Sequence, residues 1–237
     1  MNICILDNDT LEGELAHRYT SFGAMFVQLF DNVGAQWTYD IFSTQRGEYP
    51  ASFDAYDAVL LTGSASDAFS DEAWVVELRR RVTQLLVERK KMVGVCFGHQ
   101  LIGLCMGAPV GRAPQGWGKG RMAYDWHRQD LPGCQDRQQI ALYVSHQDQV
   151  VNPPVGAVTL ARSAHTDHAM LAYEGAPVIS IQGHPEFSDT FVSALWSARR
   201  GKALTDAQVD GALASLARPG DADLVAAWMT SFLRGAR

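Results

Sequence analysis

The hydrophobic positions of this chain change period several times along its length, and each change marks an element. Asn2–Asp7 is a short apolar run, with Ile3, Ile5 and Leu6, that ends on an acid, as a buried strand does. Over 14–32 the apolar residues Leu15, Tyr19, Phe22, Phe26 and Leu29 recur at threes and fours, which predicts one helix. Strands follow at 37–42 and 57–62, the second ending at Gly63-Ser64. A helix is predicted over 71–91, with Trp74, Leu78, Leu85 and Leu86 on one side. Met92–Val95 is a fourth strand, and 97–106 a helix directly after it. Strands alternating with helices at this spacing predict an α/β fold, with a mostly parallel sheet and helices on both faces.

The pattern changes after Gly107. Short strands are predicted at 122–126, 140–144, 157–161, 168–173 and 178–182, with turns between them, some pairing antiparallel. From 188 to 237 the pattern is helical again, broken at Arg218-Pro219-Gly220. No repeat and no low-complexity linker divides the chain, so 1–237 reads as one domain with a helical C-terminal extension.

Composition narrows the classes. Hydrophobic residues at 47% against 19% charged make the chain globular rather than disordered. Its net charge is −6, and its basic runs, Arg79-Arg80-Arg81 and Arg89-Lys90-Lys91, sit in a helical pattern as a solvated face. Both features argue against a nucleic-acid partner. The four cysteines have no regular spacing, which suits a reducing compartment rather than a disulfide framework. The first residues lack the basic start of a signal peptide, and the longest apolar stretch, 92–111, is interrupted by His99, Gln100 and Pro109. The expectation is a cytoplasmic protein without a membrane span.

The sharpest local feature is Gly94-Val95-Cys96-Phe97-Gly98-His99-Gln100. A β-branched strand runs into Cys96 and a helix starts immediately after it. This is the thiol counterpart of a nucleophile elbow. The glycines let strand and helix approach closely, and the helix N-terminus favours the thiolate. The Phe97 amide then points where an oxyanion forms. Taken alone, the segment equally describes a buried cysteine in a β–α turn.

A cysteine nucleophile needs a base, and the base a group to hold its ring. His184 follows the apolar strand 178–182 and a glycine, and precedes Pro185-Glu186. It sits where a strand ends, the rim on which α/β sites are built, and Glu186 can fold back across the proline to hold the imidazole. Without the elbow, His-Pro-Glu reads as an ordinary loop. Thr62-Gly63-Ser64 ends another apolar strand, so Gly63 offers a second oxyanion donor, or a plain turn. Gln100 lies one turn after Cys96. Ser145-His146-Gln147-Asp148 reads as a polar loop at the rim. His99 is a substrate contact or a packing residue and receives no catalytic role. Cys96 with His99, or His165 with His168, lacks the second pair that a metal site needs, so no metal is expected.

Together, Gly-Val-Cys-Phe-Gly-His-Gln at 94–100, Gly-His-Pro-Glu at 183–186, Thr-Gly-Ser at 62–64 and Ser-His-x-Asp at 145–148 resemble the class I (triad-type) glutamine amidotransferase family over essentially the whole chain. Three further stretches look most like its free-standing γ-glutamyl peptidases, beside the glutaminase part of GMP synthase. They are Gly-Ser-x-x-Asp-Ala at 63–68, Cys-Phe-Gly-His-Gln at 96–100 and Trp-Met-Thr-Ser-Phe-Leu-Arg-Gly at 228–235. The resemblance implies a flavodoxin-like sheet flanked by helices, with a small antiparallel element. It implies Cys96 as nucleophile, His184 as base, Glu186 as its orienter, and Gly63 and Phe97 as backbone oxyanion donors. Gln100, Ser145, His146 and Ser64 would hold the γ-glutamyl group, and no cofactor is needed. The implied reaction is hydrolysis of a γ-glutamyl amide through a Cys96 thioester. No nucleotide-binding loop is present, and too few residues follow Glu186 for a synthetase domain. A synthetase partner would therefore be a separate chain. A partner-dependent glutaminase, a γ-glutamyl transferase and a non-catalytic binding protein on the same fold are the other readings. The loop 113–121 is a candidate cover for the leaving-group side, with Tyr124, Trp126 and His127 as candidate lining residues; the sequence does not show which of them face the cleft.

Overall fold

The computed structural model describes residues 1–126 and 137–235. The first half alternates as its pattern predicts: β1 (Asn2–Asp7), α1 (Gly13–Arg18), α2 (Phe22–Asn32), β2 (Thr38–Ser43), β3 (Ala58–Leu61), α3 (Ala73–Val87), β4 (Met92–Val95) and α4 (Phe97–Cys105). The single helix expected over 14–32 is two helices. Ser21 is extended, and its hydroxyl accepts the Ala24 amide, which caps α2 and ends the earlier run. The apolar spacing passes through this break, so periodicity alone carried the helix too far.

The second half holds β5 (Val110–Arg112), β6 (Gly118–Trp126), β7 (Gln139–His146), β8 (Asp148–Val150), β9 (Ala157–Arg162), β10 (Met170–Tyr173) and β11 (Val178–Ile181). After it come α5 (Asp189–Ala198), α6 (Asp206–Ala214) and α7 (Ala222–Arg234). β5 and β8 have no counterpart in the sequence pattern; each is three residues long, and they pair antiparallel as a small second sheet.

Among the described residues the main sheet runs β2-β1-β3-β4-β11-β10-β9-β6-β7. The pairs from β2 to β11 are parallel, and every pair beyond β11 is antiparallel. β3, β4 and β11 are buried along their whole length, as expected for parallel strands covered on both faces. Alternation along β1 divides the core. Ile3 and Ile5 face a cluster with Phe26 and Phe30 of α2 and Val225 and Trp228 of α7. Cys4 and Leu6 face the other cluster, with Leu78 of α3 and Leu101 of α4. A third cluster, Phe187, Phe191, Trp196 and Val209 with Phe22 and Tyr143, seats α5 and α6 over the sheet rim. None of the described helices is long and apolar enough to cross a membrane.

α4 lies hard against β3 and β4. A methyl group at Gly98 would stand 2.5 Å from the Leu61 carbonyl oxygen, and one at Gly94 would stand 2.5 Å from the Gly98 carbonyl oxygen. Backbone cannot yield as a side chain can. Gly98→Ala is therefore expected to destabilise the protein by about 1–3 kcal/mol, through overpacking. Urea unfolding followed by far-UV circular dichroism measures this; an unchanged midpoint would show that the close approach is not required.

Candidate active site

Cys96 occupies the single-residue turn between β4 and α4, at φ 52° and ψ −103°. A positive φ on a residue with a Cβ costs on the order of 1–3 kcal/mol and persists only where the surroundings impose it. Here they do. The Cys96 amide donates to the Ile181 carbonyl at 2.8 Å, and its own carbonyl accepts the Gln100 amide at 3.0 Å. The side chain stands at the N-terminus of α4, where a negative charge is favoured.

His184 follows β11, the neighbour of β4. Its amide donates to the Tyr143 carbonyl at 2.9 Å, and its ring stacks on Phe187 at 3.8 Å between centroids and 6° between planes. Its Nδ1 donates to Glu186 Oε1 at 2.7 Å, and the Glu186 side chain is fully buried. That leaves Nε2 facing the cleft that Cys96 also borders. Burial disfavours the charged ring, but the Glu186 carboxylate and the Cys96 sulfur together outweigh it, holding the His184 pKa above the usual histidine range.

The Gly63 loop presses against this pair. A Cβ on Gly63 would stand 2.9 Å from His184 Cε1 and 3.6 Å from the Cys96 Cβ. Thr62 anchors the loop: its carbonyl accepts the Gly98 amide at 3.2 Å and the Asn8 side-chain amide at 3.0 Å. Its hydroxyl accepts the Asn8 backbone amide at 2.8 Å. Asn8 was not singled out from the sequence; it is an ordinary loop residue until the fold sets it against β3. Phe97 is held by stacking on Trp74 at 5.6 Å. Ser64 lines the cleft, and its hydroxyl accepts the Ser66 amide at 3.1 Å.

The Ser145–Asp148 segment spans the end of β7 and the start of β8, so the expected polar loop is largely strand. Gln100 braces it, donating from Nε2 to the Asp148 carbonyl at 2.8 Å and to Gln182 Oε1 at 3.2 Å. His146 donates from Nδ1 to the same carbonyl at 3.0 Å; burial and the nearby His165 push it down to about 3, so it is neutral. Arg112 holds Asp148 at 2.6 Å and Asp67 at 2.9 Å. Burial nevertheless pushes the Asp148 carboxyl up to about 6. His99 donates or accepts at Ser180 Oγ, 2.7 Å away beneath α4, as a packing residue. Of the aromatic candidates for the cleft, Tyr124 and Trp126 are core residues instead, Trp126 edge-on to Trp228. Both belong to the inward alternation of β6. His127 and Cys134 lie outside the described residues.

Arg199, directly after α5, is the functional candidate that the sequence reading missed. Its guanidinium donates to the Ser145 hydroxyl and to the Ser145 carbonyl at 3.5 Å, and lies 4.8 Å over the Trp117 ring. Burial lowers its pKa, opposed by Cys96 and Asp9. An arginine ending a helix carries no sign, in sequence, of facing a cysteine a hundred residues away.

Two chambers meet at Cys96. The larger, about 790 Å³, includes Gly63, His184, Phe187 and the 9–15 segment. The smaller, about 300 Å³, includes Gln100, Asp67, Arg112, Trp117, His146 and Asp148. Ser64, Ala65, Ser145 and Arg199 border both.

Comparison with known proteins agrees with this architecture. The family model for glutamine amidotransferase class-I matches residues 15–194. Gamma-glutamyl peptidase 5 of Arabidopsis thaliana is 34% identical over 177 residues, spanning 72% of this chain and 69% of its own. A glutamine amidotransferase-like protein of Schizosaccharomyces pombe is 28% identical over 246 residues, 98% of each chain. The fold is that of a glutamine amidotransferase from Thermotoga maritima, with a TM-score of 0.77, 16% identity, and coverage of 99% of this chain and 97% of that one. The chain is thus a hydrolase-type enzyme of the glutamine amidotransferase class-I family.

Proposed function

We propose that this enzyme hydrolyses the γ-glutamyl amide bond of glutamine or a γ-glutamyl conjugate through a Cys96 thioester, the whole of 1–237 acting as one such domain. The observation that carries the reading is Cys96 on its strained turn against His184, whose Nδ1 is held by buried Glu186 at 2.7 Å. The name of the Arabidopsis relative is in keeping with it. The free thiols Cys4, Cys96 and Cys105 suit a reducing, cytoplasmic compartment.

The smaller chamber takes the glutamyl half. Gln100, Ser64, Ser145 and His146 border it, and its acids Asp67 and Asp148 suit an α-ammonium group. The Cys96 thiolate attacks the γ-carbonyl carbon, and a carbon–sulfur bond forms. The Gly63 and Phe97 amides receive the oxyanion. As the carbon–nitrogen bond breaks, protonated His184 gives its Nε2 proton to the leaving nitrogen. Neutral His184 then takes a proton from water, whose oxygen attacks the thioester. The carbon–sulfur bond breaks, glutamate leaves, and the thiolate and imidazolium are restored. One water is consumed for each amide cleaved. Neither a metal nor an organic cofactor enters these steps.

The direct test is glutamate release by the purified chain from glutamine and γ-glutamyl conjugates. Cys96→Ala is expected to abolish release, and intact-mass measurement of quenched wild type is expected to show one γ-glutamyl adduct, on Cys96. Full activity in Cys96→Ala would end the thioester reading. Silence of the wild type alone, relieved by adding a synthetase chain, would favour the partner-dependent glutaminase.

The pH profile follows from the raised His184 pKa. Acylation needs protonated His184, which persists above the usual histidine range and is lost as pH rises through the raised value. The alkaline limb of kcat/KM is therefore expected above that range. Glu186→Gln removes the partner charge, and the limb is expected to fall by about 1–3 pH units. Superimposable limbs would show that Glu186 does not tune His184.

A further inference from the structure

The general acid distinguishes the two chambers. His184 gives its proton to the departing nitrogen, so the leaving group must lie on the side that His184 borders, which is the larger chamber. Ammonia does not need about 790 Å³. The chamber is also built with two characters. One wall is apolar: Leu11 and Leu15 from the 9–15 segment and α1 face Leu195 of α5, with Phe187 at the base against His184. The other is cationic, with Arg199 at the junction with the smaller chamber and Lys202 bordering the larger chamber alone.

Arg199 is the unusual member. It is only partly exposed and makes no ion pair with a carboxylate among the described residues. Cys96 and Asp9 are the negative groups that favour its charge, but neither is ion-paired with it, and a substrate carboxylate would supply that pairing. Its hydrogen bonds, both to Ser145, engage one of its terminal nitrogens, so a planar fork of donors is left over. Arg112, the other arginine of the cleft, is already held by Asp67 and Asp148. Asp9, an acid of the larger chamber, is engaged by the Ala65 and Thr10 amides, each at 2.8 Å. Glu12 and Glu14 are exposed at the outer edge.

On the hydrolase reading above, we propose that Arg199 is a specificity-determining residue that reads the α-carboxylate of the leaving group. The preferred substrate is then a γ-glutamyl derivative of an apolar α-amino acid. The stereochemical reason is short. In an α-amino acid the carboxylate is attached to the carbon that bears the scissile nitrogen. It therefore emerges beside the nucleophile, where Arg199 stands, and not at the far end of the chamber. The side chain of the same carbon is directed to the Leu15 and Leu195 wall. Lys202, three residues beyond Arg199, borders the larger chamber but not the smaller one.

Four substrates separate the two contacts: γ-glutamyl-leucine, γ-glutamyl-isoamylamide without the carboxylate, γ-glutamyl-glycine without the side chain, and glutamine with neither. Wild type is expected to favour γ-glutamyl-leucine over the isoamylamide by about 10–100-fold in kcat/KM, the range of a charged hydrogen bond. Arg199→Gln is expected to collapse that ratio towards one while keeping the leucine-over-glycine preference. Arg199→Lys should restore part of it, and Leu195→Ala should reduce only the side-chain preference. Thermal melts of each variant exclude misfolding, and ratios within one variant are independent of the folded fraction. Equal wild-type rates on all four substrates would overturn the proposal and leave the hydrolase reading intact. So would an equal loss on all four in Arg199→Gln, which would assign Arg199 to Cys96 or Ser145 instead. Silence on all four, with no adduct on Cys96, would overturn the hydrolase reading and this proposal together.

Discussion

β4 and β11 lie side by side in parallel, with Val95 opposite Ile181, and the Cys96 amide donates to the Ile181 carbonyl at 2.8 Å. The site depends on this register. β3 pairs with the other edge of β4, Leu61 opposite Gly94, so the Gly63 loop leaves the sheet level with Cys96. Three segments far apart in the chain thus emerge from adjacent strands at the same height. A slip of one residue in either pairing would turn the rim residues to the wrong face. The strain at Cys96 is borne by the same pairing, because β3, β4 and β11 are wholly buried and cannot relax.

Burial then gives the charges their strength. Glu186 and His184 are almost wholly removed from water, so their ion pair is little screened, and the imidazole holds its proton although burial opposes the charge. The same arrangement brings a second cation to the chambers that meet at Cys96. Trp196 of α5 is fully buried and donates from its indole nitrogen to the Val144 carbonyl at 3.3 Å. Three residues after Trp196 comes Arg199; one residue after Val144 comes Ser145, and the two meet. The C-terminal helices therefore do more than cover the sheet. They set the cationic wall of the cleft.

Much of the first half was legible because its strands and helices carry strong and different periods. The errors fall where two signals compete. Tyr19 and Phe22 keep a helical spacing across Ser21, and a hydroxyl cap outweighs that spacing. β5 and β8 are too short to show any period, and they exist because each has the other to pair with. Tyr124 and Trp126 look like cleft aromatics beside a glycine-rich loop. The alternation of β6 turns them into the core instead.

By itself the sequence determined the elbow around Cys96, the His-Pro-Glu turn and the glycines at 63, 94 and 98. These are local demands of backbone geometry and chemistry, written in neighbouring residues. Only the tertiary structure decided that Asn8 braces the Thr62 loop, that Gln100 holds Asp148 and that Arg199 reaches Ser145. Only it divided the cleft into two chambers that meet at Cys96. Those contacts join residues far apart in the chain, and they come into being when sheet register and helix packing place their elements together. No periodicity records them, because the interactions that fix them are made by the folded molecule as a whole.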